Sequence, residues 1–135
     1  MKKFLPLFCL PLAAACAMNE PAEARRDGGE AQLSARLAGY EPSGPPVSCV
    51  GLQDLQGNRS AGGSIVFEGR SRERLWVNSP AGGCPDLGIG RALRTRTSST
   101  QLCRGDIAVV FDPVSGMDYG GCGLGDFQPY RRVRG

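Results

Sequence analysis

The sequence of 135 residues contains no histidine. This absence excludes a Ser-His-Asp or Cys-His nucleophile, an imidazole general base and a histidine-ligated metal site. Lysine is nearly absent as well, because Lys2 and Lys3 are the only two in the chain. The formal net charge of +3 is small, so charge does not indicate a nucleic-acid partner. The length indicates one small domain.

The N-terminus has the pattern of an export signal. Lys2 and Lys3 precede an apolar run at residues 4–15, which is shorter than the about 20 residues of a transmembrane helix. Small residues then lead into Cys16, which resembles the lipid-modified cysteine of a lipoprotein. Ordinary cleavage after Ala17 or Ala24 is the alternative. We therefore predict an export signal at residues 1–15 and a flexible polar tether at residues 16–29.

Four cysteines follow the signal: Cys49, Cys84, Cys103 and Cys122. An even number in an exported protein predicts two disulfides. All three pairings are possible, and we prefer the nested one, Cys49–Cys122 with Cys84–Cys103, because it joins the two ends of the domain. A zinc site is the alternative, but neighbouring cysteines lie 19 or more residues apart, whereas zinc ligands usually occur as C-x2–4-C.

Short apolar segments separated by glycine-rich turns predict an all-β domain at residues 30–135, a small disulfide-stapled barrel or sandwich. A short helix is predicted at its N-terminal end, at residues 30–38. Pro129 places the last strand at an edge of the sheet, because proline cannot donate to a central ladder. The predicted strands are 47–52, 64–68 and 73–78 as a hairpin, 107–111, and 127–133. The predicted core is Val50, Leu52, Ile65, Phe67, Leu75, Val77, Leu87, Leu102, Ile107, Val109, Phe111, Leu124 and Phe127.

Several short motifs occur in a characteristic order: CV at 49–50, WxN at 76–78, CPxL at 84–87, LCxGD at 102–106 and CGLGxFxP at 122–129. Together they resemble a family of small exported proteobacterial proteins of unknown function, over residues 30–131. The resemblance implies an exported, often lipoprotein-like, cysteine-containing domain and implies no activity. A basic tail at residues 131–134 departs from the family pattern.

Arginines are the main candidate binding residues. Arg70, Arg72 and Arg74 lie beside the single tryptophan, Trp76, and could contact an anionic partner. The alternatives are a solvated arginine surface and a tryptophan packed in the core.

Other motifs have simpler explanations as turns. The glycines at 120–125 could suggest a phosphate loop, but such a loop needs a following helix, and Pro129 argues against one. Asp112, Ser115 and Asp118 offer too few oxygens for calcium. Asp86, Asp106 and Asp126 follow cysteines and are the available carboxylates for a hydrolase, but aspartate beside glycine or proline is common in turns.

These observations predict a non-catalytic cell-envelope protein, membrane-anchored on the periplasmic side through Cys16, or soluble in the periplasm. We expect no cofactor, no metal and no nucleic-acid partner. The expected partner is an anionic envelope component or an envelope protein. The alternatives are a soluble periplasmic module that binds or inhibits an envelope enzyme, and a carboxylate-dependent hydrolase.

Overall fold

The computed structural model describes residues 22–84, 86–88 and 90–134. The predicted export signal and Cys16 lie outside the described residues. The elements are helix α1 (Ala22–Arg36), strands β1 (Tyr40–Pro42), β2 (Cys49–Gly51), β3 (Leu55–Ala61), β4 (Ser64–Gly69), β5 (Arg74–Asn78), β6 (Ala92–Arg96), β7 (Gln101–Cys103), β8 (Ile107–Phe111), β9 (Asp118–Gly123) and β10 (Phe127–Arg132), with a 3-10 turn at Leu52–Asp54. The all-β class with one N-terminal helix is confirmed.

The described strands form three antiparallel sheets. The large sheet has the order β1-β10-β5-β4-β3, the two-stranded sheet pairs β2 with β7, and the three-stranded sheet has the order β6-β8-β9. The predicted hairpin is confirmed as β4 and β5, with Phe67 opposite Trp76. The predicted first strand at 47–52 is shorter, since only Cys49–Gly51 pairs as β2 and Val47 forms an isolated bridge with Phe127.

Both faces of β4 and β5 are covered, because alternate side chains of a strand point to opposite sides. Phe67 and Trp76 face the smaller sheets, whereas Val66 and Val77 face α1. The inner cluster contains Val50, Ile65, Phe67, Trp76, Cys84, Leu93, Leu102, Ala108, Val110, Cys122, Leu124 and Phe127. The outer cluster contains Ala61, Val66, Leu75 and Val77, against which Leu33, Leu37, Tyr40 and Tyr130 pack. This double coverage explains the uninterrupted burial of residues 65–67 and 75–78.

Helix α1 begins at Ala22 rather than at Glu30, so it includes residues 22–29 of the predicted tether. Alanine, glutamate and arginine favour a helix in this segment. Gly29 contributes a close approach to the β3–β4 turn. A Cβ on Gly62 (φ +63°) would lie 2.5 Å from the Gly29 backbone, and the Gly62 amide donates to Gln32 Oε1 at 3.1 Å. The helix therefore contacts the turn at a point where both segments have glycine and no side chain intervenes.

The predicted inward face of β8 is wrong. Ala108 and Val110 are fully buried, whereas Ile107 is 51% exposed and Val109 and Phe111 are half-buried. Ala108 lies opposite Cys122 and Val110 opposite Leu93, and both partners belong to the inner cluster. A shift of one residue in the pairing moves every side chain of a strand to the opposite face. The observed pairing therefore places the bulkier residues, Ile107, Val109 and Phe111, on the outward face. Leu52, another predicted core residue, is exposed as well.

The disulfides join Cys49 to Cys103 and Cys84 to Cys122, so the preferred nested pairing is wrong. Cys49 and Cys103 are directly opposite each other in the β2–β7 ladder. If each disulfide is considered without the other, closing loops of 54 and 38 residues would each add about 4 kcal/mol to the free energy of unfolding in the chain-entropy model. The first disulfide joins the two strands of the two-stranded sheet, and the second joins the segment between β5 and β6 to β9.

Strand β10 is not an edge strand, because β1 pairs along its outer side. Pro129 is nevertheless compatible with a strand that is paired on both sides. Its carbonyl accepts a hydrogen bond from the Ser43 amide at 3.0 Å, on the β1 side, just beyond the three residues that β1 pairs. The backbone N and O of one residue point to the same side in an antiparallel ladder, so the missing N–H also faces β1 and the ladder with β5 loses nothing.

Candidate binding site

A row of charged side chains crosses the open end of the large sheet. Glu41 in β1 is opposite Arg131 in β10, and Arg131 is opposite Arg74 in β5. Two arginines directly across a ladder repel each other. Glu41 offsets this repulsion, since its Oε1 accepts from Arg131 Nε at 3.0 Å and lies 2.9 Å from Nη2.

This row lies on the same face of the sheet as the inner core. Along β5, Arg74 shares its face with Trp76 and Asn78, and along β10 Arg131 shares its face with Pro129 and Phe127. Asn78 and Phe127 are fully buried, whereas Arg74 and Arg131 are exposed. The inner face of the sheet is therefore covered at one end and open at the other.

The open end is a cleft of about 860 Å³. Its floor includes Trp76 and Pro129, and its walls include Arg74, Arg131 and the tail residue Arg134. A smaller hollow of about 350 Å³ shares Arg74 and Trp76 with it and adds Arg70. We call these two hollows together the arginine cleft. The charged side chains of the arginine cleft are the carboxylates Glu41, Asp54 and Glu73 and the guanidinium groups Arg70, Arg74, Arg131, Arg132 and Arg134.

The charges of the arginine cleft are only partly neutralised. Arg131 has its carboxylate partner in Glu41, whereas Arg70 and Arg74 form no ion pair with any described carboxylate. At the cleft rim, a hydrogen bond from Arg132 to Tyr40 Oη raises the pKa of that guanidinium above its usual range. The cleft can therefore offer free guanidinium donors, which suit phosphate and carboxylate groups.

The structure brings together three of the four predicted binding residues, Arg70, Arg74 and Trp76. Arg72 is exposed but lines neither hollow, and its carbonyl accepts from Tyr40 Oη at 2.7 Å. Trp76 is only 8% exposed and belongs to the inner core, so it forms part of the floor and does not present a free ring face for stacking. The structure therefore agrees with the alternative interpretation, in which this tryptophan packs in the core.

Arg131 and Arg134 were missed as site residues, although the basic tail is visible in the sequence. The pairing of β10 with β5 links Arg131 to Arg74 although they are far apart in the chain, and Arg134 follows the end of β10. Sequence spacing alone does not contain that pairing.

The remaining motifs form local structure. Asp112 Oδ1 accepts from the Val114 and Ser115 amides at 2.7 and 3.2 Å, and these bonds lower the pKa of Asp112. This is an Asx turn between β8 and β9. Among the described residues, no three acidic or sulfur side chains converge as metal ligands.

The three candidate catalytic carboxylates are each engaged by neighbours. Asp106 Oδ2 accepts from the Cys103 amide at 2.8 Å. Asp86 and Asp126 lie 3.5 Å from Arg91 and Arg104 respectively. The glycines at 120–123 belong to β9, which is followed by strand β10 rather than by a helix, as expected for a structural segment beside a disulfide.

No helix among the described residues is long and apolar enough to cross a membrane. Two disulfides are consistent with folding in an oxidising compartment. Comparison with protein-family models, with curated proteins and with solved structures finds no match to this chain.

Proposed function

We propose that this protein is an exported cell-envelope protein that binds an anionic envelope component through the arginine cleft, without catalysis. The observation that carries the proposal is the pair Arg70 and Arg74, which share one concave surface with a single carboxylate, Asp54, and form no ion pair with a described carboxylate. A concave site with converging donors is the usual form of a binding site, and guanidinium groups suit phosphate and carboxylate oxygens.

The same proposal includes membrane anchoring. The sequence Leu-Ala-Ala-Ala-Cys at residues 12–16 supports lipid modification of Cys16, and the two disulfides agree with export. A diacyl anchor is the two-chain arrangement that binds a membrane stably. Intact mass of the protein from the envelope fraction tests this point. A species that begins at Cys16 and carries lipid mass is expected, and an unmodified species that begins at Met18 or Arg25 would contradict anchoring.

Binding is tested with the unlipidated domain, so that the anchor does not obscure the cleft. Sedimentation with phosphatidylglycerol vesicles and with isolated cell-wall sacculi identifies the anionic component, with phosphatidylcholine vesicles as the neutral control. For Arg70→Gln with Arg74→Gln we expect affinity to fall about tenfold, because two partly exposed charge pairs together contribute about 1.4 kcal/mol.

Arg72→Gln is the matched control, since Arg72 is an exposed arginine on the same turn and lines neither hollow. The control removes one charge and the double variant removes two, so a loss of about threefold or more in the control would show a general charge effect and contradict the cleft. Binding of the double variant at wild-type affinity would contradict it as well.

The alternative, a soluble periplasmic module that binds an envelope enzyme, is favoured by the β8–β9 loop. Val114 is 95% exposed and Met117 is 59% exposed at its tip. The loop is held by the Asx turn of Asp112, so these apolar side chains are presented in one arrangement. Recovery of a stoichiometric enzyme that is lost with Val114→Ser and Met117→Ser would support this alternative over the cleft.

A further inference from the structure

Two strand edges border a second groove of about 930 Å³. It lies at the β3 edge of the large sheet, opposite the edge formed by β1. Strand β3 is the last strand of the large sheet, and β6 is the first strand of the three-stranded sheet. Asn58 and Ser60 of β3 and Leu93 of β6 line the groove. No described strand pairs with either edge from the groove side, so backbone groups are open to an added strand.

The register of the β3–β4 hairpin identifies which backbone groups are open. Ala61 lies opposite Ser64 across a two-residue turn, and such flanking residues bond to each other through both backbone groups. Bonded and non-bonded pairs then alternate, so the N–H and C=O of Asn58 and Ser60 point away from β4. Among the described residues, no turn or loop backbone hydrogen bond uses either residue.

The side chains around the groove carry charge of one sign. Arg36 of α1, Arg59 of β3 and Arg91 before β6 line it, and no described carboxylate does. Arg59 is paired with Glu68, which lies outside the groove. Arg91 donates to the Asp86 carbonyl at 2.9 Å, lies 3.5 Å from the Asp86 carboxylate and lies 3.8 Å from the Tyr119 ring centroid, so it is held in place and partly neutralised. Arg36 forms no ion pair with a described carboxylate.

We propose that the β3 edge binds an extended acidic peptide segment of a partner protein as an added strand. Its backbone would pair with Asn58 and Ser60, and its carboxylates would meet Arg36 and Arg91. Strand addition takes affinity from backbone bonds and specificity from alternate side chains. A second copy of this chain fits less well, because symmetric pairing of two β3 edges would bring arginines of both copies together. This proposal is independent of the arginine cleft.

The test uses two capped octapeptides, one with four consecutive glutamates between threonine pairs and one with four consecutive lysines there, so that charged side chains point to both faces of the added strand. We expect the oxidised domain to bind the glutamate peptide at least tenfold more tightly in low salt. Hydrogen exchange should then slow at the Asn58 and Ser60 amides.

Arg36→Glu should weaken binding of the glutamate peptide at least tenfold, whereas Arg72→Glu, an exposed arginine outside the groove, should have little effect. Ser60→Pro should also abolish the added pairing while the domain stays folded, because proline is tolerated where the N–H of an edge strand faces outward. No binding, equal binding of both peptides, protection elsewhere in the domain, or peptide-independent dimerisation that protects β3 would each overturn the proposal. Loss of cleft function in Arg70→Gln with Arg74→Gln would leave this result unchanged.

Discussion

Asn78 is the buried polar side chain on which the described inner core depends, and its removal is our most specific stability prediction. It is fully buried, between Ile65 and Phe127 on the neighbouring strands. Its Nδ2 donates to the Gly125 carbonyl at 2.7 Å, and its Oδ1 accepts from the Gly125 amide at 2.9 Å. The side chain thus replaces a backbone partner for the segment between β9 and β10.

Asn78→Ala would leave the N–H and C=O of Gly125 without these partners. Each lost partner of this kind costs about 1–3 kcal/mol, so we expect the free energy of unfolding to fall by about 3 kcal/mol. This is a large share of the roughly 5–15 kcal/mol that stabilises a small domain. Urea unfolding of the oxidised protein measures the change, and fluorescence of the single, buried Trp76 reports it.

Two further variants test the reasoning. Gln56→Ala is the matched control, because Gln56 is an exposed amide on β3, and we expect a change below about 0.5 kcal/mol. In Asn78→Asp the new carboxyl can restore both bonds only when protonated. Its stability should therefore approach that of the wild type as the pH falls below about 4 and decline as the pH rises. A loss below about 1 kcal/mol in Asn78→Ala, or no pH dependence in Asn78→Asp, would refute the argument.

Three further predictions follow from the geometry. Gly125→Ala should destabilise the fold by about 1–3 kcal/mol in urea unfolding, because the new Cβ would lie 2.9 Å from the Ser79 carbonyl oxygen; a neutral change would contradict this close contact. The half-buried disulfide Cys49–Cys103 should be reduced by dithiothreitol before the buried Cys84–Cys122, and alkylation with mass spectrometry of peptides would show the order; the reverse order would be inconsistent with their burial. NMR spectra should show the Asp112 carboxyl titrating below its ordinary pKa of 3.8. The turn should therefore stay ordered above pH 4 and lose order as the pH falls through the lowered pKa. Titration at or above 3.8 would contradict the two amide hydrogen bonds to this carboxylate.

The hairpin of β4 and β5 could be predicted from the sequence because its information is local. Two apolar runs of strand length flank a short polar connection, and no distant residue is needed to identify them. The all-β class, the use of the four late cysteines in disulfides and the burial of Phe67, Leu102 and Phe127 follow in the same way from composition and alternation.

Only part of the candidate site could be predicted from the sequence. Arg70 and Arg74 stand out as a basic segment beside Trp76, but Arg131 joins them through pairing across more than fifty residues. The groove beside β3 was not visible at all, because an open edge is a property of the strand order and not of any one strand.

The sequence by itself determined the kinds of elements, the oxidised cysteines and the exclusion of histidine chemistry, since each depends on residue type and local spacing. Only the tertiary structure decided which cysteines pair, which face of β8 is buried and where the arginines converge. These outcomes depend on contacts between distant strands. In β8 both faces carry apolar side chains, so alternation alone was ambiguous, and the positions of Cys122 and Leu93 on neighbouring strands selected the Ala108 face.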